Sequence, residues 1–349
     1  MLRVLRASDP YYPKTSCRGA ISSSLSRSFP REVAVSPPVT TLSPLGNRSF
    51  TPLASGPLLS ASRTALQELT DCPESLRLRQ QRYSVRVARL RDNVEKNRYS
   101  NIYPHDRNIV RLRNGGYTNG SRMRVGTSPK IALSAPPPHT FSDFWRLLIE
   151  QESPLIVMTA NEMEKEIRKV DNYWNSRDLI TSSLEGTGFS CADVSTEILF
   201  PAEKEGGPHI VLRRFTLVGS EGEERVLEQL HLSNWEDHGA TSTELLLTLL
   251  KEIQHRTRLS PLKGSTFFHC SAGVGRTGVT IAVLSIIEEL EEAFREGKTF
   301  EEIEFSIPDM INRMRADRKG MVQSHSQVKM IAECLELYLQ RRENLSIRI

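Results

Sequence analysis

The chain has 349 residues, 38% hydrophobic and 25% charged, enough apolar content for a large buried core. Its most apolar run, Val279 to Ile287, is about half of the ~18 residues a membrane helix requires, so membrane insertion is not expected. Net charge is +4, but residues 1–64 hold eight Lys and Arg against two acids, which leaves the rest slightly acidic and argues against nucleic acid as a partner.

Residues 1–64 also contain thirteen Ser and eight Pro with no sustained period. Such a segment buries too little apolar surface to offset its ordering entropy and is expected to be disordered. Three readings of it stand: a plain tail, a mitochondrial transit peptide rich in Arg and Ser, or a Ser-rich export segment. From Thr64 to Asn97 a broken apolar stripe (Leu66, Leu69, Leu76, Leu78, Val87, Leu90, Val94) predicts helix. Leu155–Thr159 and Ile210–Val218 predict strands, and Thr266–His269 a short strand. Val279–Arg295, Glu301–Arg315 and Gln327–Leu339 predict helices. The expected fold is α/β (α+β), one large twisted mixed sheet flanked by helices, over residues 65–345. The five cysteines, 17, 72, 191, 270 and 334, are odd in number, widely spaced and without a CxxC pair. That implies neither a disulfide framework nor a zinc site, and a reducing compartment.

The segment His269-Cys270-Ser271-Ala272-Gly273-Val274-Gly275-Arg276-Thr277-Gly278 carries the chemistry. It follows a strand and opens a helix, so its N–H groups can converge on an anion. A lone cysteine is ordinarily an inert small hydrophobe. One held in such a cradle has its pKa lowered and becomes a nucleophilic thiolate. Arg276 can grip two oxygens of a phosphoryl group with its planar fork, and Thr277 can donate its hydroxyl to the sulfur.

This segment resembles the signature HCxxGxxR[ST]G of the tyrosine-specific protein phosphatases. Further segments resemble the family in chain order. They are Lys96-Asn97-Arg98-Tyr99, Tyr117–Ser121, Thr140 with Asp143-Phe144-Trp145, Glu164–Lys169, Trp235–Gly239 and Arg318–Gln327. The resemblance implies that residues 270–276 bind the phosphoryl group, with His269 supporting the loop. It implies that Tyr99 stacks on the substrate ring in a cleft too deep for phosphoserine. Glu164 would orient Arg276, and Lys169 and Trp235 would support the acid loop. Asp237 would be the general acid, and Gln323, secondarily Gln327, would position the hydrolytic water. The implied partners are phosphotyrosine-containing proteins, met by a monomeric catalytic domain without metal or cofactor. Diverged loops around an intact catalytic set also resemble secreted effector phosphatases of bacterial pathogens.

Three departures bear on rate and selection: Glu236 stands where the family has proline, Asn101 where it has aspartate, and Ser134-Ala135-Pro136 where it has QGP. Two rival readings remain at this point, a phosphotyrosine-binding pseudo-enzyme and a dual-specificity or phosphoinositide phosphatase.

Overall fold

A computed structural model describes residues 83–235, 241–299, 302–303 and 305–346. After a one-turn helix α1 (Arg91–Val94) come β1 (Ile109–Arg111), β2 (Tyr117–Met123), β3 (Lys130–Leu133), α2 (Phe141–Glu150) and β4 (Leu155–Met158). A two-stranded hairpin, β5 (Met163–Glu164) and β6 (Ile167–Arg168), precedes α3 (Arg177–Ser183). The meander β7 (Phe189–Phe200), β8 (His209–Gly219) and β9 (Glu224–Ser233) leads to α4 (Thr243–Leu259) and β10 (Thr266–His269). The chain closes with α5 (Arg276–Arg295), α6 (Ile307–Asp317) and α7 (His325–Ser346).

Eight strands form one mixed sheet in the order β1-β2-β3-β10-β4-β9-β8-β7. The inner four, β3, β10, β4 and β9, are parallel, and antiparallel strands extend both flanks. Every residue of β3, β4 and β10 is buried, as expected of short parallel strands covered on both faces. Alternation sorts their side chains. Ala132, Phe268 and Val157 face the layer of α4 to α7, and Ile131, Phe267 and Ile156 face that of α2 and α3. Because the four inner strands run the same way, their carboxyl ends deliver four loops to one edge of the sheet. These begin at Ser134, Thr159, Asn234 and Cys270.

The strands predicted at 155–159, 210–218 and 266–269 are present with boundaries shifted by at most one residue. Two predicted helices differ. The part of the Thr64–Asn97 stripe that lies among the described residues is a 3₁₀ turn, Val87–Arg89, and the single turn α1, with Leu90 and Val94 exposed. Here Asp106 accepts from the Arg86 and Val87 amides and Asn97 donates to three carbonyls, Ala88, Asn93 and Val94. These side chains replace the helical ladder. The helix predicted from Glu301 starts at Ile307, where Ser306 accepts from the Asp309 amide and Pro308 fixes the first turn. Among the described residues no helix is long and apolar enough to cross a membrane.

A buried ion pair ties the sheet to α5. Lys130 Nζ of β3, fully buried, lies 2.6 Å from Glu288 Oε2 and also donates to Ser128 O and Val125 O. Glu288 in turn accepts from the Thr127 amide at 2.9 Å. Glu288→Ala strands the ammonium and is expected to cost roughly 3–5 kcal/mol in denaturant unfolding. The double variant Lys130→Met/Glu288→Leu should lose markedly less.

Candidate active site

The loop after β10 is held by its carbonyls, each taken by a donor outside the loop's concave side. His269 O accepts from the Thr159 amide at 3.0 Å and Cys270 O bonds His269 Nδ1 at 3.0 Å. Ser271 O accepts from the Ala135 amide at 2.9 Å. Ala272 O accepts from Ser134 Oγ at 2.9 Å and Arg318 Nη2 at 3.1 Å, and Gly273 O from Arg318 Nε at 3.0 Å. Val274 O accepts from the Val322 amide at 3.0 Å. In a trans peptide the C=O and the N–H point oppositely, so carbonyls turned outward turn the following amides inward. At Gly273 φ is +71°, and a Cβ there would lie 1.9 Å from Leu133 O, so only glycine fits. Gly275 precedes α5 without a side-chain cap, which leaves the first-turn amides for an anion.

Cys270 Sγ, buried at the centre, accepts from the Gly273 amide at 3.3 Å. Burial pushes the thiol up, but Arg276, the hydroxyl and amide of Thr277 and the Gly273 amide together bring it below the ordinary thiol value. The other described cysteines, Cys191 and Cys334, are also free thiols, and burial raises both, Cys334 to about 12. Arg276 is 1% exposed and, among the described residues, is locked by bonds from Nη1 to Glu164 Oε1 at 2.6 Å, from Nη2 to Glu164 Oε2 at 3.4 Å, and from Nη1 to Trp235 O at 2.5 Å. The hairpin β5–β6 presents Glu164 through Lys165 and Glu166, both in the left-handed region with φ of 49° and 64°. Two consecutive residues there match a tight hairpin turn.

The family model for protein-tyrosine phosphatase matches residues 93–336. The chain belongs to the protein-tyrosine phosphatase family. Curated relatives include tyrosine-protein phosphatase non-receptor type 13 of Mus musculus, 33% identical over 248 residues, which are 69% of this chain and 9% of that protein. Non-receptor type 20 of the same species is 30% identical over 72% of this chain and 55% of that protein. Receptor-type tyrosine-protein phosphatase eta of Homo sapiens is 30% identical over 71% of this chain and 18% of that protein. The chain thus spans from about a tenth to just over half of these relatives.

The family's other segments converge on the loop. Ser271 Oγ donates to Lys169 O at 2.7 Å and so accepts from Tyr99 Oη at 2.6 Å, which holds Tyr99 beside the residue that follows Cys270. The Lys169 carbonyl joins the site through Ser271, and the acid loop toward which its side chain is expected to reach lies outside the described residues. Gln323 Oε1 and Gln327 Nε2 both flank Gly275, where a Cβ would meet them at 2.6 and 2.8 Å. Gln327 is buried, holds the Gln323 amide through Oε1 at 2.7 Å, and among the described residues leaves Nε2 without a protein acceptor. Trp235 is fully buried and contributes its carbonyl to Arg276. Asp237 and Glu236 lie outside the described residues. Asn101 is exposed.

Sequence reasoning missed three supports. Arg318, fully buried with its pKa drawn down to about 10 by burial, gives five donor contacts within 3.2 Å to Asn119, Ser121, Ser134 and the loop carbonyl Ala272, besides its bond to Gly273. Arg98 binds Ala135 O at 2.8 Å, Pro136 O at 3.1 Å and the Asp171 carboxylate. The departing segment Ser134-Ala135-Pro136 therefore braces the cysteine loop and anchors the segment bearing Tyr99. Tyr173 bonds His269 Nε2 at 2.7 Å.

The electrostatics set an expectation for Cys270. Its carboxymethylation by iodoacetate should show a pH midpoint below that of a free thiol, about 8.5. In Arg276→Met, burial loses its chief opponent and the midpoint should rise by at least about one unit. The check is a pH series read by mass spectrometry of the Cys270 peptide.

Proposed function

We propose that this chain is a phosphotyrosine-protein phosphatase working through a phosphocysteine intermediate. The observation that carries the reading is a thiol with lowered pKa inside inward-turned amides, with Arg276 fixed beside it by Glu164. Thiolate Cys270 attacks phosphorus in line, so that a P–S bond forms as the bond to the tyrosine oxygen breaks. Arg276 and the loop amides carry the charge on the equatorial oxygens. Asp237 gives its proton to the departing phenolate and then takes one from the water that attacks phosphorus. The P–S bond breaks, phosphate leaves and the thiolate is restored. Gln323 and Gln327, against Gly275, are the groups proposed to hold that water. Tyr99, fixed on Ser271 at the loop, favours a long aryl phosphate over a short alkyl one.

Phosphotyrosine, phosphothreonine and phosphoinositide substrates assayed side by side test the substrate class. Turnover confined to phosphotyrosine supports the reading, and binding without turnover sinks it in favour of the pseudo-enzyme. Cys270→Ser should abolish turnover while the fold persists. Asp237→Ala should slow hydrolysis of a phosphotyrosine peptide by roughly 10²–10⁴-fold and that of an aryl phosphate with a good leaving group by less. Equal losses on both substrates count against Asp237 as the acid.

Residues 65–345 are the proposed catalytic unit, acting as a monomer on phosphotyrosine proteins in a reducing compartment. The Ser/Pro-rich, basic composition of residues 1–64 supports their role as an address, by export into a host cell or by targeting, rather than as part of the site. Their deletion should leave kcat/KM on a small aryl phosphate unchanged within about twofold. A tenfold drop would show that they contribute to the site.

A further inference from the structure

Arg213, in the middle of β8, is separated by two strands, β4 and β9, from the strand that leads into the cysteine loop, in the antiparallel meander that sequence reasoning gave no role. Its guanidinium is half-buried, sits 4.8 Å over the Trp174 ring, and has no carboxylate within ion-pair distance among the described residues. Burial lowers its pKa, with Tyr173 and Glu162 opposing. The cation instead heads two chains of hydrogen bonds whose directions are fixed by the atoms at their ends.

The first chain runs to the nucleophile. Arg213 Nη1 donates to Gln229 Oε1 at 2.7 Å, and Gln229 Nε2 donates to Tyr173 Oη at 2.6 Å. Tyr173 bonds His269 Nε2 at 2.7 Å, and His269 Nδ1 bonds Cys270 O at 3.0 Å. A carbonyl only accepts, so His269 carries its proton on Nδ1 and takes the Tyr173 proton at Nε2. Burial holds His269 near a pKa of about 4, which keeps it neutral and this direction unique. The second chain runs to the clamp. Arg213 Nη1 lies 3.3 Å from His231 Nδ1, and His231 Nε2 lies 2.9 Å from Ala160 O. His231, with a pKa brought down to about 3 by burial and Arg213, is likewise neutral and donates to that carbonyl. The same peptide offers the Asn161 N–H to Glu164 Oε1 at 3.3 Å, the oxygen that receives Arg276 Nη1.

We infer that Arg213 is a positioning residue for both halves of the site, fixing Cys270 through Gln229, Tyr173 and His269 and fixing Arg276 through His231 and Glu164. Donors aligned head to tail from a cation polarise one another, so loss of the first donor loosens both ends. The inference rests on the reaction proposed above. Cys270 is faced by Arg276 of α5, by Arg318 after α6 and by His269 of its own strand, with Arg98 near His269. Arg213 is faced by Glu162, Tyr173 and His231.

The test uses the full chain with Arg213→Met, Arg213→Lys and Tyr173→Phe. Two quantities are read, the pH midpoint of Cys270 carboxymethylation and the inhibition constant of inorganic phosphate. Arg213→Met should raise the midpoint by about half a unit or more and weaken phosphate about threefold or more. Tyr173→Phe, which cuts only the first chain, should move the midpoint and leave phosphate inhibition within about twofold. Arg213→Lys, which keeps a cationic donor, should recover at least part of both shifts. Wild-type midpoints and phosphate constants in Arg213→Met, with only a lowered melting temperature, would make Arg213 a structural prop and overturn the inference. Should Arg213→Met not fold, an unchanged midpoint in Tyr173→Phe overturns it equally. Alkylation is read without turnover. A wild-type chain that alkylates at depressed pH but hydrolyses no phosphotyrosine therefore defeats the reaction and leaves the wiring standing.

Discussion

The site depends on the outward anchoring of the cysteine loop's carbonyls. A run of six residues cannot aim its amides at one point unless something takes the opposite ends of those peptides, because an unpaired buried carbonyl is itself costly. Here the acceptors from His269 O to Val274 O are claimed by the residues that follow β3 and β4, the segment after α6 and the residue before Cys270. The parallel core makes this possible, since β3 and β4 flank β10 on either side and end beside it. The chemistry of the thiol is thus written largely in bonds that never touch it.

Buried arginines do most of the connecting. Arg276, Arg318 and Arg98 each use a planar fork to bind groups from several chain segments at once. A lysine, with one compact ammonium, could satisfy only part of each set. Such groups are expensive to bury, and the folded chain tolerates them because most of their donors meet carbonyls, carboxylates or hydroxyls. Arg318 shows the balance: burial, opposed by Tyr117 and Cys270, lowers its pKa to about 10, yet it remains a cation at neutral pH.

Legibility in the sequence followed locality. The loop from His269 to Gly278 could be read because its function needs contiguous residues in one order, and the apolar run of α5 because a helix buried on most sides shows no polar stripe. Arg318, Tyr173 and Arg213 could not be read, since a charged or phenolic side chain gives no local sign that distant strands will bury it. The stripe before Asn97 misled for the same reason. Its apolar spacing suits a helix, but Asp106 and Asn97 bind the backbone first, and Asp106 does so from ten or more residues beyond it. The long strand β7 was obscured by its many exposed residues at the edge of the sheet.

Val322 carries a consequence for how the two proposed half-reactions would be related. Its backbone sits in the left-handed region at φ 60°, unusual for a β-branched residue, and its amide closes the last bond of the carbonyl set, to Val274 O. Gly278 leaves room for that contact, since a Cβ there would meet the Val322 nitrogen at 2.6 Å. The glutamine-bearing segment cannot drift without releasing a carbonyl of the phosphate cradle. In the two-step reaction proposed above, competence to finish would thus be inherited from competence to begin, because the bond that helps shape the loop also holds the segment that carries the glutamines.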